Sequence, residues 1–373
     1  LNGRVNGLVT LKQTEEEVSP KAMVFVNDFK INNFEQGNLS LHVTGDNSYD
    51  KYDVNMSLSN RKAKSIYAKG SFDFSAERPE MDLDVSLRDY EIDAFSPLGQ
   101  EVLSRLRGKV SGDFEAKGFV RNPEFNGFLK VEGAGLTFPY LNVDFDLKGN
   151  TNIELDGQQF KLNNVLLEDT KHKTKGNLSG YIAHQNFDMW FLDLDITTDN
   201  LLILDTTEDE ETPYYGTGFL KGTAEITGLT SNLDIEVNGQ TQPGTVFVIP
   251  LSDIKTVENY KLIHFEKRVD EVEEKERLIE DIKGLDLRIK LDVTKDAVAQ
   301  VVIDKVSGSE LKGSGQGNLS IDINTRGKFN MVGDFKVDNG QYNFKYAGIT
   351  KPFIVQKGGT ISWSGTLMKQ SLI

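Results

Sequence analysis

The chain has no cysteine and few residues of several other types, and each shortage excludes a class of protein. Of its 373 residues two are tryptophan, four are histidine and nine are proline. Without cysteine the chain forms no disulfide, holds no metal through thiolates and has no cysteine nucleophile. Its longest apolar runs, such as Ala22–Val26 and Leu201–Leu204, are far shorter than the roughly 20 residues of a membrane-spanning helix. The sequence therefore lacks the signal of a helical membrane protein.

Basic residues are fewer than acidic ones. There are 42 lysines and arginines against 57 aspartates and glutamates, a formal net charge of −15. This acidity argues against a nucleic-acid binder, which needs clustered basic residues, and against electrostatic docking of the chain onto anionic lipid head groups. At 38% hydrophobic residues the chain is too apolar to be disordered. It begins Leu-Asn-Gly, so we expect a piece of a longer protein or a processed form, and no targeting segment indicates its compartment.

Strict alternation of apolar and polar residues dominates the sequence. The cleanest example is the apolar series at every second position from Leu285 to Val293. A period of two predicts strands with one apolar and one polar face, and roughly two dozen such runs occur. Short breakers predict hairpin turns, among them Gly45–Asn47, Lys148–Asn150, Asp338–Gly340 and Gly358–Gly359. We therefore predict an all-β fold with a mainly antiparallel sheet.

Two segments break the alternation. A short helix is predicted near 97–107, because Ser96 suits an N-cap, Pro97 the first helical position and Gly108 the stop. The second segment, 252–284, contains a block of charged residues at Glu266–Arg277 with helical spacing of its apolar residues. We interpret it as a helical or mobile excursion from the sheet. A solvated insertion is the simpler interpretation, and a lid or docking element is the alternative.

These features divide the chain into four predicted segments. Residues 1–94 are groove-forming β-repeats, residues 95–249 are similar repeats with the short helix, residues 250–284 are the charged insertion, and residues 285–373 are a C-terminal β segment.

An apolar face on so many strands must be covered. It either packs in sandwiches or lines a trough that holds a guest, and small residues in phase with the apolar face, such as Gly112, Ala116 and Gly180, favour an elongated sheet curled into a trough. The predicted lining residues of its hydrophobic groove are Leu39, Leu41, Val43, Val54, Met56, Leu58, Phe72, Phe74, Leu83, Val85, Leu129, Val131, Leu141, Val143, Phe145, Leu147, Leu194, Ile196, Ile235, Val237, Leu285, Leu287, Ile289, Leu291, Phe329, Met331 and Phe335.

Residues for catalysis or metal binding are not found in a recognisable pattern. The four histidines lack a second histidine at ligand spacing, and His184 is expected among polar neighbours without chemistry. Gly313–Gly317 lacks the lysine and the following helix of a phosphate-binding loop. Asp82 and Asp84 alternate on the polar face, where solubility explains them. We expect no catalytic residue, no metal site and no cofactor, and therefore not an enzyme.

The C-terminal residues resemble a known family. Val337–Phe344 and Lys351–Gly365 contain a Gly-x-Tyr-x-Phe strand, a Phe strand, a Gly-Gly turn and a Trp-x-Gly, as in the C-terminal domain of the TamB family. Further upstream, Ser96–Gln100, Gly135–Leu141 and Phe247–Ser252 are also similar to it. The resemblance covers most of 95–373, whereas 1–94 share only the periodicity, and the excursion at 252–284 is longer and more charged than the family pattern.

The resemblance implies a protein of the Gram-negative cell envelope, similar to AsmA-like and bridge-like lipid transfer proteins with a β-taco groove. Its implied place is the periplasm, with an inner-membrane anchor outside this chain and reach to the outer membrane. The implied function is a conduit that carries phospholipids toward the outer membrane. The alternative is a scaffold for outer-membrane protein assembly, acting by β-augmentation with a barrel of the TamA/BamA superfamily, TamA-like or TamL-like, through an edge at Thr360, Ile361 and Trp363.

Overall fold

The computed structural model describes residues 1–13, 18–60, 63–99, 104–149, 151–185, 189–208, 214–250, 284–324, 329–346, 348–366 and 370–372. It confirms the predicted all-β fold with long, mainly antiparallel strands in a curled sheet. The described strands are Asn2–Gln13 (β1), Val18–Ile31 (β2), Phe34–Gly45 (β3), Lys51–Asn60 (β4), Ala63–Asp73 (β5), Glu80–Glu91 (β6), Ser104–Phe119 (β7), Asn122–Phe138 (β8), Val143–Lys148 (β9), Thr151–Gly157 (β10), Gln159–Asp169 (β11), Lys175–Gln185 (β12), Met189–Thr206 (β13), Tyr215–Leu229 (β14), Asn232–Thr241 (β15), Val246–Pro250 (β16), Gly284–Val293 (β17), Val298–Asp304 (β18), Ser309–Asn324 (β19), Phe329–Tyr346 (β20), Ile349–Val355 (β21), Thr360–Thr366 (β22) and Gln370–Leu372 (β23).

The chain forms two compact units. Unit 1 comprises Leu1–Leu204 with Leu220–Glu236, and unit 2 comprises Asp205–Phe219 with Val237–Ile373. In unit 1 the strands from β1 to β8 each pair antiparallel with the next along the chain. Beyond β8, the short strands β9 and β10 both lie between β8 and β11. The division into four segments stays a prediction. It rests on sequence composition, whereas the two units are defined by contacts between strands.

Unit 2 is built around β19 and β20. β19 pairs with β17 and β18 on one side and with β20 on the other, and β20 pairs in turn with β21 and β22. One ladder departs from the antiparallel rule, because Val246–Pro250 pairs parallel with Val298–Val302. The sequence gives no sign of it because both strands read as ordinary alternating or apolar runs.

Three of the predicted hairpin turns are not hairpins. The chain does not reverse at Lys148–Asn150, because β9 and β10 on either side of it both pair antiparallel with β8. Asp338–Gly340 lies inside β20, where the pairing with β19 shifts by one residue between Ser314 and Gly315. Gly358–Gly359 connects β21 to β22 without reversing the chain, because both strands pair with β20. There the N–H of Gly358 donates to the carbonyl of Val337, and the N–H of Val337 donates to the carbonyl of Gly359. Asn and Gly suit a bulge as well as a turn, so composition does not separate the two.

The short helix lies earlier than predicted. It is a 3-10 helix at Ile92–Gly99 that contains Pro97, and β7 already begins at Ser104. The hydroxyl of Ser96 accepts the N–H of Leu106, a strand residue, and so does not cap a helix beginning at Pro97. Ile92 packs with Val110 and Val131, so the helix covers one spot of the apolar face, as expected. A second 3-10 turn lies at Pro139–Leu141.

The excursion predicted at 252–284 lies outside the described residues, apart from Gly284, which begins β17. No helix in the described ranges is both long and apolar enough to cross a membrane.

Candidate functional site

The register of unit 1 aligns the predicted lining residues in rows across the strands. Because paired residues on neighbouring strands point to the same face, the alternation places each row on one side of the sheet. We call this side the inner face of unit 1. Its rows are Val43–Val54–Gly70–Leu83–Ala116, Leu41–Met56–Ala68–Val85–Phe114 and Leu39–Leu58–Ile66–Leu87–Gly112–Leu129.

Exposure changes along the inner face of unit 1. On β3 to β6 most predicted lining side chains keep part of their surface open, and the half-buried ones are Leu39, Leu41, Val43, Met56, Phe72, Leu83 and Val85. Val54 and Leu58 are buried there. Leu129 and Leu147 are also half-buried, whereas the later lining residues Val131, Val143, Phe145, Leu194, Ile196 and Ile235 are buried. Among the predicted lining residues of unit 1, the accessible ones therefore lie mainly on β3 to β6. The same face continues onto β1, where Val5 and Val9 are exposed.

Glycines on this face let neighbouring strands approach closely. Gly127 faces Phe114 across the β7–β8 ladder, and a Cβ on Gly127 would lie 2.6 Å from the Cβ of Phe114. A Cβ on Gly70 would lie 1.9 Å from the carbonyl oxygen of Asp82 on β6. Neighbouring backbones thus approach at glycines, as expected of a curled sheet.

Two predicted lining residues lie outside the strands. Phe74 follows the end of β5, is exposed, and contacts the rings of Tyr52 and Phe72. Leu141 lies in the 3-10 turn before β9 because Pro139 and the left-handed Asn142 interrupt the extended chain. Both adjoin the strands that carry the rows and do not belong to the rows.

Unit 2 has its own apolar face, on which the lining side chains are mostly buried. Val237, Leu285, Leu287, Met331 and Phe335 are buried, whereas Ile289 and Leu291 are half-buried. The rows run Leu287–Ile323–Phe329, Ile289–Ile321–Met331–Gly365 and Leu291–Leu319–Gly333–Trp363. The backbone register places Phe329 in the first of them.

The predicted partner-facing residues lie in β22. On one side Thr360, Ile361 and Trp363 pair with β20, and on the other side Ile361–Trp363 pairs with β23. Ile361 and Trp363 are buried. The strand is therefore internal from Ile361 to Trp363, where the sequence predicted an unpaired edge. Their role toward a partner stays a prediction.

Sequence reasoning missed an aromatic cluster on the inner face of unit 1. His184 is buried, with its ring centroid 5.7 Å from Phe125, 5.5 Å from Phe160 and 5.4 Å from Trp190. Burial lowers the pKa of His184 below its ordinary value. The sequence places His184 among polar neighbours, but it is in phase with Ile182 and pairs with Trp190. This position in the alternation indicates that His184 lies on the apolar face, and it was the signal that could have found the cluster.

The opposite face is polar and laced with ion pairs. Asp82 is exposed and lies 3.7 Å from Lys117, which also pairs with Glu115 at 2.9 Å. The hydrogen bond to Glu115, followed by the charge of Asp82, raises the pKa of Lys117. Asp82 and Asp84 thus occupy the solvated face where they were expected. The separation of an apolar and a charged face is typical of a sheet that is wet on one side.

Comparison with known proteins adds one finding. The family model described as the TamB C-terminal domain matches residues 163–372, which is more than half of the chain. No curated protein and no solved structure shows significant similarity to the chain. TamB proteins are a transport and assembly family of the cell envelope, involved in outer-membrane assembly or lipid transport, and are not known as enzymes. The match spans the strands from β11 to β23 and includes the motifs at Val337–Phe344 and Lys351–Gly365, whereas the similar residues at Ser96–Gln100 and Gly135–Leu141 lie outside it. The chain belongs to the TamB family.

Proposed function

We propose that the chain is part of a lipid conduit, which carries phospholipids toward the outer membrane along the inner face of its sheet. The observation that supports this is the set of rows on β3 to β6. Their residues are all apolar or glycine, and most of the large side chains in them are only half-buried. We further propose a periplasmic location, with an inner-membrane anchor in a segment outside this chain.

The energetics of such a surface suit an acyl chain. Each methylene that leaves water gains about 0.8 kcal/mol. The rows from Leu39 to Leu87 contain no ionisable residue, so no single position holds the guest by charge. Within each row, similar side chains follow one another from strand to strand, about 4.8 Å apart. A lipid can therefore move from one strand to the next without losing its apolar contact, while its head group stays in water.

Site-specific photo-crosslinking tests the conduit. We expect a crosslinker at Leu41, Met56 or Val85 on the inner face to capture phospholipid, identified by mass spectrometry of the released adduct. The matched controls are His42, Asn55 and Asp84, which neighbour these positions in sequence and point to the opposite face. Equal capture of lipid at the controls, or capture at the controls alone, would contradict the proposal.

A second candidate is a scaffold for outer-membrane protein assembly. The observation that favours it is the short ladder of three residue pairs between β22 and β23, which a client strand or a barrel of the TamA/BamA superfamily could extend or replace. We expect Thr360→Pro to weaken capture of such a barrel while lipid crosslinking at Met56 persists, because proline removes one backbone donor. Unchanged capture of the barrel would count against the scaffold.

A further inference from the structure

The hairpin formed by the end of β20 and by β21 exposes several large apolar side chains to solvent. Tyr346 is 70% exposed and Ile349 67%, and Phe344 and Phe353 on the same face are exposed as well. Ile354 is also exposed, but it pairs with Gln341 and lies on the opposite face. We call residues 341–346 and 348–354 the tip hairpin. Contiguous exposed aromatic and aliphatic residues of this kind mark an interaction surface.

The bulge in β20 determines which side chains share a face of the tip hairpin. After the shift at Asp338, the even-numbered positions of β20 share a face with the odd-numbered positions of β19. Tyr342 therefore lies beside Leu311 and opposite Phe353, whose ring stacks on that of Tyr342 at 6.1 Å. Phe344 and Tyr346 stack at 6.4 Å on the same face. The aromatic rings thus form one continuous platform.

The charge of this region is opposite to that of the chain. From Asn339 to Ile373 the sequence has four lysines and no aspartate or glutamate, whereas the whole chain carries −15. Within the tip hairpin, Lys351 lies 5.2 Å from the ring centroid of Phe353, on the aromatic face. Lys345 lies on the other face, beside the turn at Gly308. The neighbouring carboxylate of Glu310 accepts hydrogen bonds from Asn343 and Gln300, also away from the platform.

We propose that the tip hairpin docks on a lipid bilayer surface that contains anionic phospholipids. Tyrosine and phenylalanine side chains are suited to the boundary between head groups and acyl chains, and flanking lysines attract anionic head groups. The acidity of the whole chain opposes such docking, but the attraction acts only within about a Debye length of the surface, roughly 8 Å at physiological salt. The local lysines therefore decide the interaction.

A protein strand fits this surface less well than a bilayer. Strand addition needs a regular row of backbone donors and acceptors along the free edge of β21. Pro352 lies in the middle of β21, opposite Asn343, and supplies no N–H. Strand addition also uses the edge alone, whereas the exposed side chains lie on the face of the sheet. The proposal does not depend on the inner face of unit 1 carrying lipid.

Vesicle flotation with the full chain tests the docking. We expect the chain to float with vesicles of phosphatidylcholine and phosphatidylglycerol, more weakly with phosphatidylcholine alone, and less as salt is raised. Tyr346→Ser with Ile349→Ser should reduce the bound fraction on both vesicles more than tenfold. Lys351→Gln, on the aromatic face, should weaken binding to the anionic vesicles by about fivefold at low salt.

Matched controls separate docking from other effects. Phe128→Ser removes an equally exposed aromatic ring in unit 1, and Lys295→Gln removes an exposed lysine in a turn of unit 2, so both should bind like the wild type. Binding that persists in the Tyr346/Ile349 variant, or absence of binding by the wild type, would overturn the proposal.

A direct reading of depth completes the test. Tyr346→Trp places a fluorophore at the most exposed ring of the platform, and we expect its emission to shift to shorter wavelength on anionic vesicles and to be quenched by brominated acyl chains. Sedimentation velocity distinguishes a second copy of the chain as the occupant. A dimer that becomes monomeric in the Tyr346/Ile349 variant, without vesicle binding by the wild type, would show self-association and contradict docking on lipid.

Discussion

Arg107 reaches across β8 to Asp144 on β9. Its guanidinium donates two hydrogen bonds to that carboxylate, at 2.8 and 3.2 Å, and a third to Asp146 at 2.6 Å. Burial alone would raise the pKa of Asp144, but hydrogen bonds from Thr137 and Arg107 outweigh it and lower this pKa. The arginine thus joins two strands that are not neighbours in the sheet.

Removal of this arginine should destabilise the protein at neutral pH. Arg107→Met leaves two partly buried carboxylates close together, with only Lys148 still paired to Asp146 at 3.0 Å, and we expect a loss of about 2 kcal/mol in the free energy of unfolding. Urea denaturation at pH 7 measures it. Arg88→Met is the control, because Arg88 pairs with Asp113 on the exposed face, where an ion pair contributes about 0.5 kcal/mol or less. Equal losses in the two variants would show that the burial of the Arg107 cluster contributes nothing.

The path of Arg107 across β8 requires a glycine. A Cβ on Gly135 would lie 2.3 Å from Nη2 of Arg107 and 2.6 Å from the carbonyl oxygen of Phe145. We expect Gly135→Ala to destabilise the protein by about 1–3 kcal/mol, and by less when Arg107→Met is already present, because one of the clashes is then gone. A double-mutant cycle measures this coupling. The control Gly359→Ala should be nearly neutral, since the nearest contact of its Cβ would be 3.4 Å. Strictly additive losses for Gly135→Ala and Arg107→Met would refute the coupling.

The strands and their faces could be predicted from the sequence because each apolar face repeats with a period of two. The sequence predicts a strand at Leu285–Val293, and the structure has one there. Many of the residues predicted to line one face align in rows, although Phe74 and Leu141 do not. Loops and breakers were less predictable. Asn339 and Gly340 suit a turn and a bulge equally, and only pairing with β19 selects the bulge.

Burial along the face was beyond prediction because it depends on contacts distant in sequence. Leu83 and Val143 have the same alternating context, yet Leu83 is half-buried and Val143 is 1% exposed. His184 likewise becomes buried through Phe125 and Trp190 and not through its sequence neighbours. Periodicity assigns the face of a residue, and the register together with what lies over the face determines its exposure.

Asp169 should make stability depend on acid pH. Its buried carboxylate accepts the N–H groups of Lys171, His172 and Thr174 and the hydroxyl of Thr174. Burial would raise the pKa of Asp169, but these hydrogen bonds outweigh it, so the pKa in the folded protein lies below the ordinary value of 3.8. The ionised form is thus favoured by folding. Its contribution is complete above the unfolded pKa and is lost as the pH falls through the lowered folded pKa.

Replacing this carboxylate tests the sign. Asp169→Asn should cost about 2 kcal/mol at pH 7, because one amide oxygen replaces an ionised acceptor of four hydrogen bonds, and less below pH 4, where the wild type loses the same contribution. Urea denaturation as a function of pH measures both effects. The control Asp296→Asn changes an exposed carboxylate in a turn and should shift neither. A loss that stays constant from pH 7 to pH 3 would contradict the account.

His184 should add a second pH dependence, at higher pH. Burial lowers the pKa of His184 below 6.5, so the folded protein favours the neutral ring. Between the folded and the unfolded pKa the unfolded chain binds more protons, and the free energy of unfolding therefore falls as the pH drops below about 6.5. We expect His184→Gln to flatten this slope between pH 7 and 5, as read from thermal melting. The control His42→Gln, at an exposed histidine, should leave the slope intact. If the slope persists in His184→Gln, groups other than His184 cause it.

The accessible and the packed parts of the apolar face should respond differently to charge. Val143→Asp buries a carboxylate at a position that is 1% exposed, and we expect it to cost at least about 4 kcal/mol or to prevent folding. Leu83→Asp, at a half-buried position on β6, should cost only about 1–2 kcal/mol, because water still reaches the side chain. Leu83→Asp should nevertheless abolish binding of a fluorescent phospholipid, since a carboxylate then interrupts the row Val54–Gly70–Leu83–Ala116.

Leu83→Asn distinguishes charge from shape in this experiment, because it has nearly the same volume as the aspartate. We expect it to keep the fold and to retain more lipid binding than the aspartate variant, since an uncharged amide costs less to leave without water than a carboxylate does. Thermal melting and lipid titration on the same preparations separate the two effects. If Leu83→Asp unfolds the protein as Val143→Asp does, the face at β6 is a closed core and has no room for a guest. If it folds and binds lipid normally, the row through Leu83 does not carry lipid.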